Sequence, residues 1–554
     1  MNRHLELPQS VEELQKLVLL LSTENEVLNT EIGSLHTNNG ALQAEIGSLQ
    51  SLTHKLESRL KVLEELNQLL LHRRFGANSE KYRSEQSDLF NEAEVYAADF
   101  VEELDEEASV ADDSVIAQTV TTSKSAKKPG RKPLPEALPR VVVLHELPES
   151  QRFCPEGHPL KEIGEEITEQ LDIIPITVQV LQHVRKKYAC PCCQGHVHIA
   201  PASLQPIPKS NASPGLLAYV STSKFLDALP LYRQSKQFDR VGVNLPRATL
   251  ASWMIRVGDL ILPLHQLMAE TLLNHPYLQI DETTLQVLKE EGRKAESQSY
   301  VWVRRGGSLE TPVVLFDYAP SRSAAVADRL LSGFKGTLQS DGYTGYKSVC
   351  ATHDLVHAGC WAHARRKFDE ALKGQGAKGK SGKASKALVM IQKLYRVEAL
   401  IKGLSSEEKR QVRQAQAIPL LKEFKTWLDL SLTQVVPSSL TGKALAYLSN
   451  QWSTLTVYVE DGHLEIDNNG IERAIRPFVI GRNNWMFSDT VRGAESSTRL
   501  YSLIETAKLN GLEPYRYLRH VFTELPKATT LEEVEKLLPW AVDKDIINDG
   551  WRQV

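Results

Sequence analysis

The stretch "YLQIDETTLQVL" (277–288) decides how the chain is read, because a run of β-type residues here carries an acid at its centre, Asp281. Two further β-rich runs follow, "SYVWVRRGG" (299–307) and "TPVVLFDYAP" (311–320), with turn residues between them. A helix-like "SAAVADRLLSGF" (323–334) comes next, then a fourth strand within "GTLQSDGYTGY" (336–346). The fifth strand is "DLVHAGC" (354–360), and "WAHARRKFDEAL" (361–372) is a helix.

Three strands, a helix, and two more strands in this order match a ribonuclease H-like domain. In that fold an acid of the first strand lies beside an acid at the end of the fourth, and those positions hold Asp281 and Asp341. Adjacent carboxylates repel one another unless a cation lies between them. Hard divalent ions such as Mg²⁺ prefer oxygen ligands and leave room for phosphate and water. A third acid completes a two-metal site. It is expected from the helix after the fifth strand, which a mostly helical insertion (about 370–460) interrupts. The chain re-emerges at "EIDNNGIERAIRPFVIGRN" (465–483). Asp467, Asn468 and Asn469 are helix-capping residues, and Glu472 follows as the third acid. Glu472 and Arg476 are also spaced to pair on one helical face, and Glu465 and Asp467 are rival acids a turn away.

Outward from this core the chain changes character. At 554 residues it is long enough for about three or four domains. Its composition, 42% hydrophobic and 24% charged, is that of an ordinary soluble protein. No apolar run suits a membrane span and the N-terminus lacks a signal-peptide pattern, so a cytoplasmic location without membrane attachment is expected. The net charge of −4 hides a segregation. Residues 84–123 contain no Lys or Arg and read as an acidic, disordered linker, and "KSAKKPGRKPLP" (124–135) follows as a basic, Pro-containing arm suited to DNA.

Leucine recurs at 14, 21, 28, 35, 42, 49, 56, 63 and 70. Positions four later include Val18, Asn25, Ile32, Asn39, Ile46, Leu60 and Asn67, a pattern that favours a two-stranded parallel coiled coil. A homodimer or higher assembly through this segment is therefore expected. Cys154 and His158 in "FCPEGHPL", with Cys190 and Cys193 in "YACPCCQGHVH", pair across a β-like segment and suit a structural zinc, with Cys192 as a spare. Arg185, Lys186 and Lys187 beside them suit phosphate contacts. Residues 213–262 read as helices around the turn "VGVNLP", a helix-turn-helix-like pair presenting Arg247 near the start of its second helix; such pairs are equally common as core architecture.

Beyond these strands and acids, the chain carries "RRFGANSEKY", "GRKPLP", the Cys cluster with "IGEE", "DETT", "GTLQSDGYTGY", "CWAHARRKF", "DNNGIERAIRP", "GRNNWMFSD" and "SLIETAKLNGLEP". Nearly end to end it resembles the transposases of the insertion sequence 66 family, D-D-E enzymes of bacterial mobile elements. The resemblance implies cleavage at element ends and joining of the freed 3′ hydroxyl to target DNA. By position, Asp281, Asp341 and Glu472 would hold two Mg²⁺ or Mn²⁺ ions, and Cys360 and His363 would support them. Arg473 and Arg476, with Arg365 and Arg366, would face DNA phosphates. The family usually has a second Cys where this chain has Gly157, so either His158 takes its place or the zinc site is weakened or lost. Small accessory proteins of the same element are further implied partners, besides the terminal inverted repeats and target DNA. A DNA-binding repressor without catalysis, and a structure-specific nuclease on the same fold, are the alternatives.

The expected fold class is thus multidomain α+β. A coiled coil (1–72), a linker with its basic arm (73–140) and a zinc-finger-like β domain (141–210) precede a helix-turn-helix-like region (211–270). A ribonuclease H-like α/β core (271–369 and 461–525) is then interrupted by the α-helical insertion (370–460), and a helical tail (526–554) ends the chain.

Overall fold

The computed structural model describes residues 10–75, 178–189, 197–199, 202–308, 310–375 and 382–549. The linker, the basic arm and the four expected zinc ligands lie outside them. The chain divides into two units, residues 101–202 and the remainder. In the smaller unit, β1 (Lys187–Ala189) and β2 (Val197–Ile199) form an antiparallel pair with Tyr188 opposite His198.

In the larger unit, α1 (Val11–Phe75) is one helix of 65 residues, as the unbroken heptad requires. Its leucine row stays in solvent, with Leu35 61% and Leu42 57% exposed. Four helices follow: α2 (Pro214–Phe225), α3 (Leu231–Arg240), α4 (Arg247–Leu260) and α5 (Leu262–Leu273). The expected helical pair is therefore α3 and α4, turning through Gly242 at φ +79°. The pair shares one hydrophobic core with the sheet that follows: Leu250, Trp253 and Val257 of α4 are buried in it. At Gly258 a Cβ would come within 2.5 Å of Ser496, so glycine is what lets α4 approach its neighbouring helix.

The sheet begins with β3 (Tyr277–Lys289), β4 (Gln298–Gly306) and β5 (Val313–Ala319), an antiparallel meander. After α6 (Ala324–Leu330), β6 (Thr337–Gln339) runs parallel to β3. Helix α7 (Thr344–His353) then leads to β7 (Val356–Ala358), parallel to β6. The spatial order is β5-β4-β3-β6-β7. The fourth strand is shorter than "GTLQSDGYTGY" suggested. Asp341 Oδ1 accepts the Tyr343 backbone N–H at 2.9 Å, a side-chain turn that ends the ladder before the acid and starts α7.

From β7 the chain enters α8 (Trp361–Gln375), then α9 (Lys383–Leu400), α10 (Ser406–Val412), α11 (Ile418–Leu432), α12 (Leu440–Asn450) and α13 (Trp452–Leu455). These helices form a second hydrophobic core of their own, in which Trp361 stacks on Phe424 at 5.8 Å and meets Trp452 edge-on at 6.0 Å. Buried Arg413 ties the exit of this core. It pairs with Glu398 at 2.6 Å and donates to the carbonyls of Tyr458, Asp461 and Leu464, each at 2.9 Å. The chain then returns as α14 (Asn469–Trp485), the short strand β8 (Ser488–Thr490) beside the far end of β3, and α15 (Val491–Leu509). Helices α16 (Pro514–Glu524), α17 (Leu531–Glu535) and α18 (Lys544–Asp549) complete it. Among the described residues no helix is long and apolar enough to cross a membrane.

Strand β5 is a buried edge, and α15 satisfies it with hydroxyls instead of another strand. Ser502 Oγ accepts the Phe316 N–H at 2.8 Å, while Thr506 Oγ1 accepts the Val314 N–H at 3.1 Å and donates to the Val314 carbonyl at 2.9 Å. Thr506→Val keeps the shape and strands both Val314 groups away from water. We expect a loss of about 1–3 kcal/mol of stability, read as a lower denaturant midpoint with an unchanged slope. An unchanged midpoint would mean the edge has another partner.

Candidate active site

The three expected acids gather at one end of the sheet. Asp281 stands on β3 next to the bonded lead of β6, Asp341 two residues past the end of β6, and Glu472 in the first turn of α14. Burial pushes Asp281 well above the usual carboxylate range, and Glu282, Asp341 and Glu472 add to it. Burial likewise raises Glu472 to about 7; Arg366 and Arg476 oppose the rise, and Asp467 and Asp341 reinforce it. Among the described residues, however, no three such side chains converge tightly enough in this conformation to enclose one ion.

The donor set nevertheless suits a hard cation. Glu472 Oε1, Asn468 Oδ1 and Asn469 Oδ1 are buried oxygens without a hydrogen-bond partner, beside carboxylates that raise one another's proton affinity. Oxygen donors left unsatisfied in a dry site are what Mg²⁺ or Mn²⁺ requires.

Cys360 and His363 both make contacts at the start of α14. The Cys360 thiol, fully buried, accepts the Asn468 backbone N–H at 3.2 Å, tying the start of α8 to the start of α14. His363 Nε2 lies 3.9 Å from Glu472 Oε1, and burial with the nearby Arg366 lowers its pKa to about 4, so the ring is neutral at pH 7. Asp467 is not a free rival: burial raises it to about 6, and it accepts from Tyr395 Oη of α9 at 2.7 Å and from the Asn469 N–H at 3.1 Å. Glu465 pairs with Arg305 at 3.3 Å. Arg365, Arg366 and Arg476 are half-buried around the acids and Arg473 is exposed, while Arg247, Arg185, Lys186 and Lys187 are exposed elsewhere.

Sequence reasoning missed Glu282 and Arg322. Glu282 is buried, bonded to Arg322 and to Tyr346 Oη, and Arg322 also approaches Asp341 Oδ2 at 3.7 Å while lying over the Tyr343 ring. The adjacent acids of "DETT" were the available signal, but a neighbour in a strand points to the opposite face, and nothing local reveals an arginine forty residues on.

This constellation occurs on a chain that matches known protein families along most of its length. Residues 209–496 match the transposase IS66 family, and residues 502–540 the IS66 C-terminal element. Residues 151–194 match the zinc-finger binding domain of transposase IS66, and residues 62–143 the model described as transposase C of IS166 homeodomain. The chain belongs to the IS66 transposase family. Among its relatives are uncharacterised Sinorhizobium fredii proteins. One, y4jD, is 35% identical across 74% of this chain and 81% of its own length, and y4qI is 32% identical across 70% and 72%.

The raised Glu472 pKa has a definite sign in stability. The unfolded carboxyl ionises near 4.5 and the folded one near 7, so stability present below about pH 4.5 is lost progressively as pH rises to about 7. The loss amounts to roughly 3 kcal/mol at most. In chelator, Glu472→Gln is therefore expected to melt above the parent protein at pH 8, with the gap narrowing at pH 5. A gap independent of pH would contradict the assignment.

Proposed function

We propose that this transposase-family protein is an active D-D-E enzyme whose Asp281, Asp341 and Glu472 would hold two Mg²⁺ or Mn²⁺ ions. The single observation carrying the reading is the unpartnered, buried Glu472 Oε1 beside Asp281 and Asp341, on an α14 that returns to the sheet after the insertion. The strand order β5-β4-β3-β6-β7, antiparallel on one side of β3 and parallel on the other, supports a ribonuclease H-like core (271–369 and 461–525) interrupted at 370–460. Bound there, the ions would supply a nucleophilic oxygen and stabilise the leaving oxygen of a phosphodiester.

The chain's own residues do the rest. Arg366, Arg473 and Arg476 present guanidinium groups to scissile or flanking phosphates, which planar forks hold bidentately. His363, neutral and buried, borders Glu472 without competing for its charge. Water hydrolyses the phosphodiester at each element end to free a 3′ hydroxyl, and that hydroxyl then attacks a target phosphodiester, joining to its phosphate and expelling the target's own 3′ oxygen. Arg247 at the start of α4, and Arg185, Lys186 and Lys187 within the zinc-finger match, would each add phosphate contacts. The match over 151–194 supports structural zinc on Cys154, His158, Cys190 and Cys193, with His158 standing where Gly157 removes a cysteine.

The decisive assay compares the parent protein with Glu472→Gln on DNA carrying the element's own ends. Metal-dependent 3′ nicking and joining should fall roughly a thousandfold in the variant, equivalent to about 4 kcal/mol, with end binding retained. Equal activity would move the third acid to Glu465 or Asp467, and binding without cleavage by either protein would favour a repressor.

We further propose that α1 pairs with a second copy of this chain. Its leucine row is open while Glu65 and Leu69, on the opposite side of the heptad, are buried against the body of the protein. Leu35→Lys with Leu42→Lys should convert the dimer to a monomer by light scattering while the catalytic unit melts as before. A dimer that survives both changes would locate pairing elsewhere.

A further inference from the structure

Beneath the carboxylates lies a layer of buried amides. Gln279 precedes Asp281 by two residues, which in β3 puts them on the same face, and Gln339 precedes Asp341 by two. The two glutamines are register partners in the parallel β3–β6 pair, both 0% exposed, and Gln279 Nε2 donates to Gln339 Oε1 at 2.9 Å.

Gln339 uses its whole hydrogen-bonding capacity. Its Oε1 also accepts from Tyr277 Oη at 2.5 Å, and its Nε2 donates to the carbonyls of Glu465 at 2.7 Å and Gly359 at 3.3 Å. Two carbonyls on one side and a hydroxyl on the other leave the amide a single orientation. Gln279 Oε1 accepts from Arg305 Nη1 at 2.7 Å, and its Nε2 faces the Asp467 carbonyl and a Glu465 carboxylate oxygen, each at 3.4 Å.

The segment before Glu472 is seated on this layer. Besides the carbonyls of 465 and 467, Asn468 Nδ2 donates to the Ile280 carbonyl at 3.4 Å. At Gly470 a Cβ would lie 2.1 Å from Arg305 Nη1 and 2.7 Å from Gln279 Oε1, so α14 settles onto the layer at its bare residue. An apolar side chain would fill the space of Gln339 with no partner to satisfy, but only an amide in this position addresses carbonyls of two separate segments.

We infer that Gln279 and Gln339 are positioning residues that hold β3, β6 and residues 465–470 in one register, and thereby bring Glu472 to Asp281 and Asp341. The inference rests on the reading of those three carboxylates as metal ligands.

The test uses the full chain without DNA and reads two quantities: Mn²⁺ affinity, from the spin-resonance signal of free Mn²⁺, and amide exchange at 465–472. Asp341→Asn and Glu472→Gln serve as ligand controls. Gln339→Leu is expected to lower Mn²⁺ affinity about tenfold or more, as loss of a ligand's supporting partner does, and to speed exchange at 465–472 while β4 and β5 stay protected. Gln279→Leu should behave alike, and the double variant should fall little further, because the pair acts as one unit. Arg305, its side chain 26% exposed, donates to Gln279 Oε1; should Gln339→Leu not fold, Arg305→Leu removes that support for the amide layer and is read by the same two quantities. Parental Mn²⁺ affinity and parental exchange in the glutamine variants, or in Arg305→Leu where it stands in, would overturn the inference while the ligand controls still lose binding. If the controls bind Mn²⁺ like the parent, the metal reading fails, and exchange at 465–472 alone decides the positioning role: faster exchange upholds it and unchanged exchange overturns it.

Discussion

Like charge withdrawn from water is the constraint around which this molecule is arranged. Asp281, Glu282, Asp467 and Glu472 lie, with Asp341, around one end of a sheet, where burial disfavours the ionised forms of those four. The fold answers part of this itself. Arg322 spans Glu282 and Asp341, Tyr346 bonds Glu282, and Tyr395 and the Asn469 N–H hold Asp467. These partners sort the acids into two kinds. Glu282 and Asp467 are satisfied within the protein and act as structure. Glu472 keeps a buried oxygen with nothing to accept, and Asp281 accepts only from the adjacent Glu282 N–H among the bonds described. On the proposed reading, a metal ion is the partner that these two carboxylates would take.

The strands, their order and the three acids were legible in the sequence because each depends on local pattern. Runs of β-type residues bounded by turn residues marked β3, β4 and β5, and an acid in a strand or past a capping cluster stands out without knowledge of its neighbours. The heptad gave α1 for the same reason. What was not legible depended on contacts between distant segments. The end of β6 is set by an Asp341 side chain turning back on Tyr343, so strand-like residues beyond it became α7. The helical pair α3 and α4 looked like a separable module, but its inward face, Trp253 and Val257, completes the core of the sheet. Arg322 and Tyr395 have no motif of their own and are recognised only where the fold delivers them.

The insertion illustrates how a long excursion can be tolerated between two segments that the fold brings side by side. Its helices bury an aromatic core distinct from the main one, and Ala358 of β7 and Tyr277 of β3 join that core to the sheet. Departure and return are then fastened side by side. Trp361, the first residue of α8, donates its backbone N–H to the Ile466 carbonyl at 3.2 Å, and Cys360 receives the Asn468 N–H. Arg413 gathers three carbonyls of the returning strand of chain just upstream. Loop closure over so many residues costs little more than over a few, provided the ends are fixed. The third acid can therefore lie more than a hundred residues from the second and still be placed as though the helix followed directly.

The same arrangement joins the rod to the catalytic end. Glu65 accepts the backbone N–H of Leu440 at 3.2 Å at the start of α12, where a carboxylate also meets the positive end of the helix. Gly374 of α8 leaves room there for the α1 backbone, since a Cβ would lie 3.1 Å from the Glu65 carbonyl. Helix α8, held at its far end by this contact, begins just after Cys360, which accepts the Asn468 N–H before the first turn of α14. Packed helices with buried aromatic contacts transmit position stiffly over such a distance. Docking uses the face of α1 that carries Glu65 and Leu69, so a partner helix on the leucine row meets no obstruction from the body that α1 supports. The exposed leucine row and the face docked on the body thus lie on opposite sides of one helix, so the pairing proposed above would leave the docked face undisturbed.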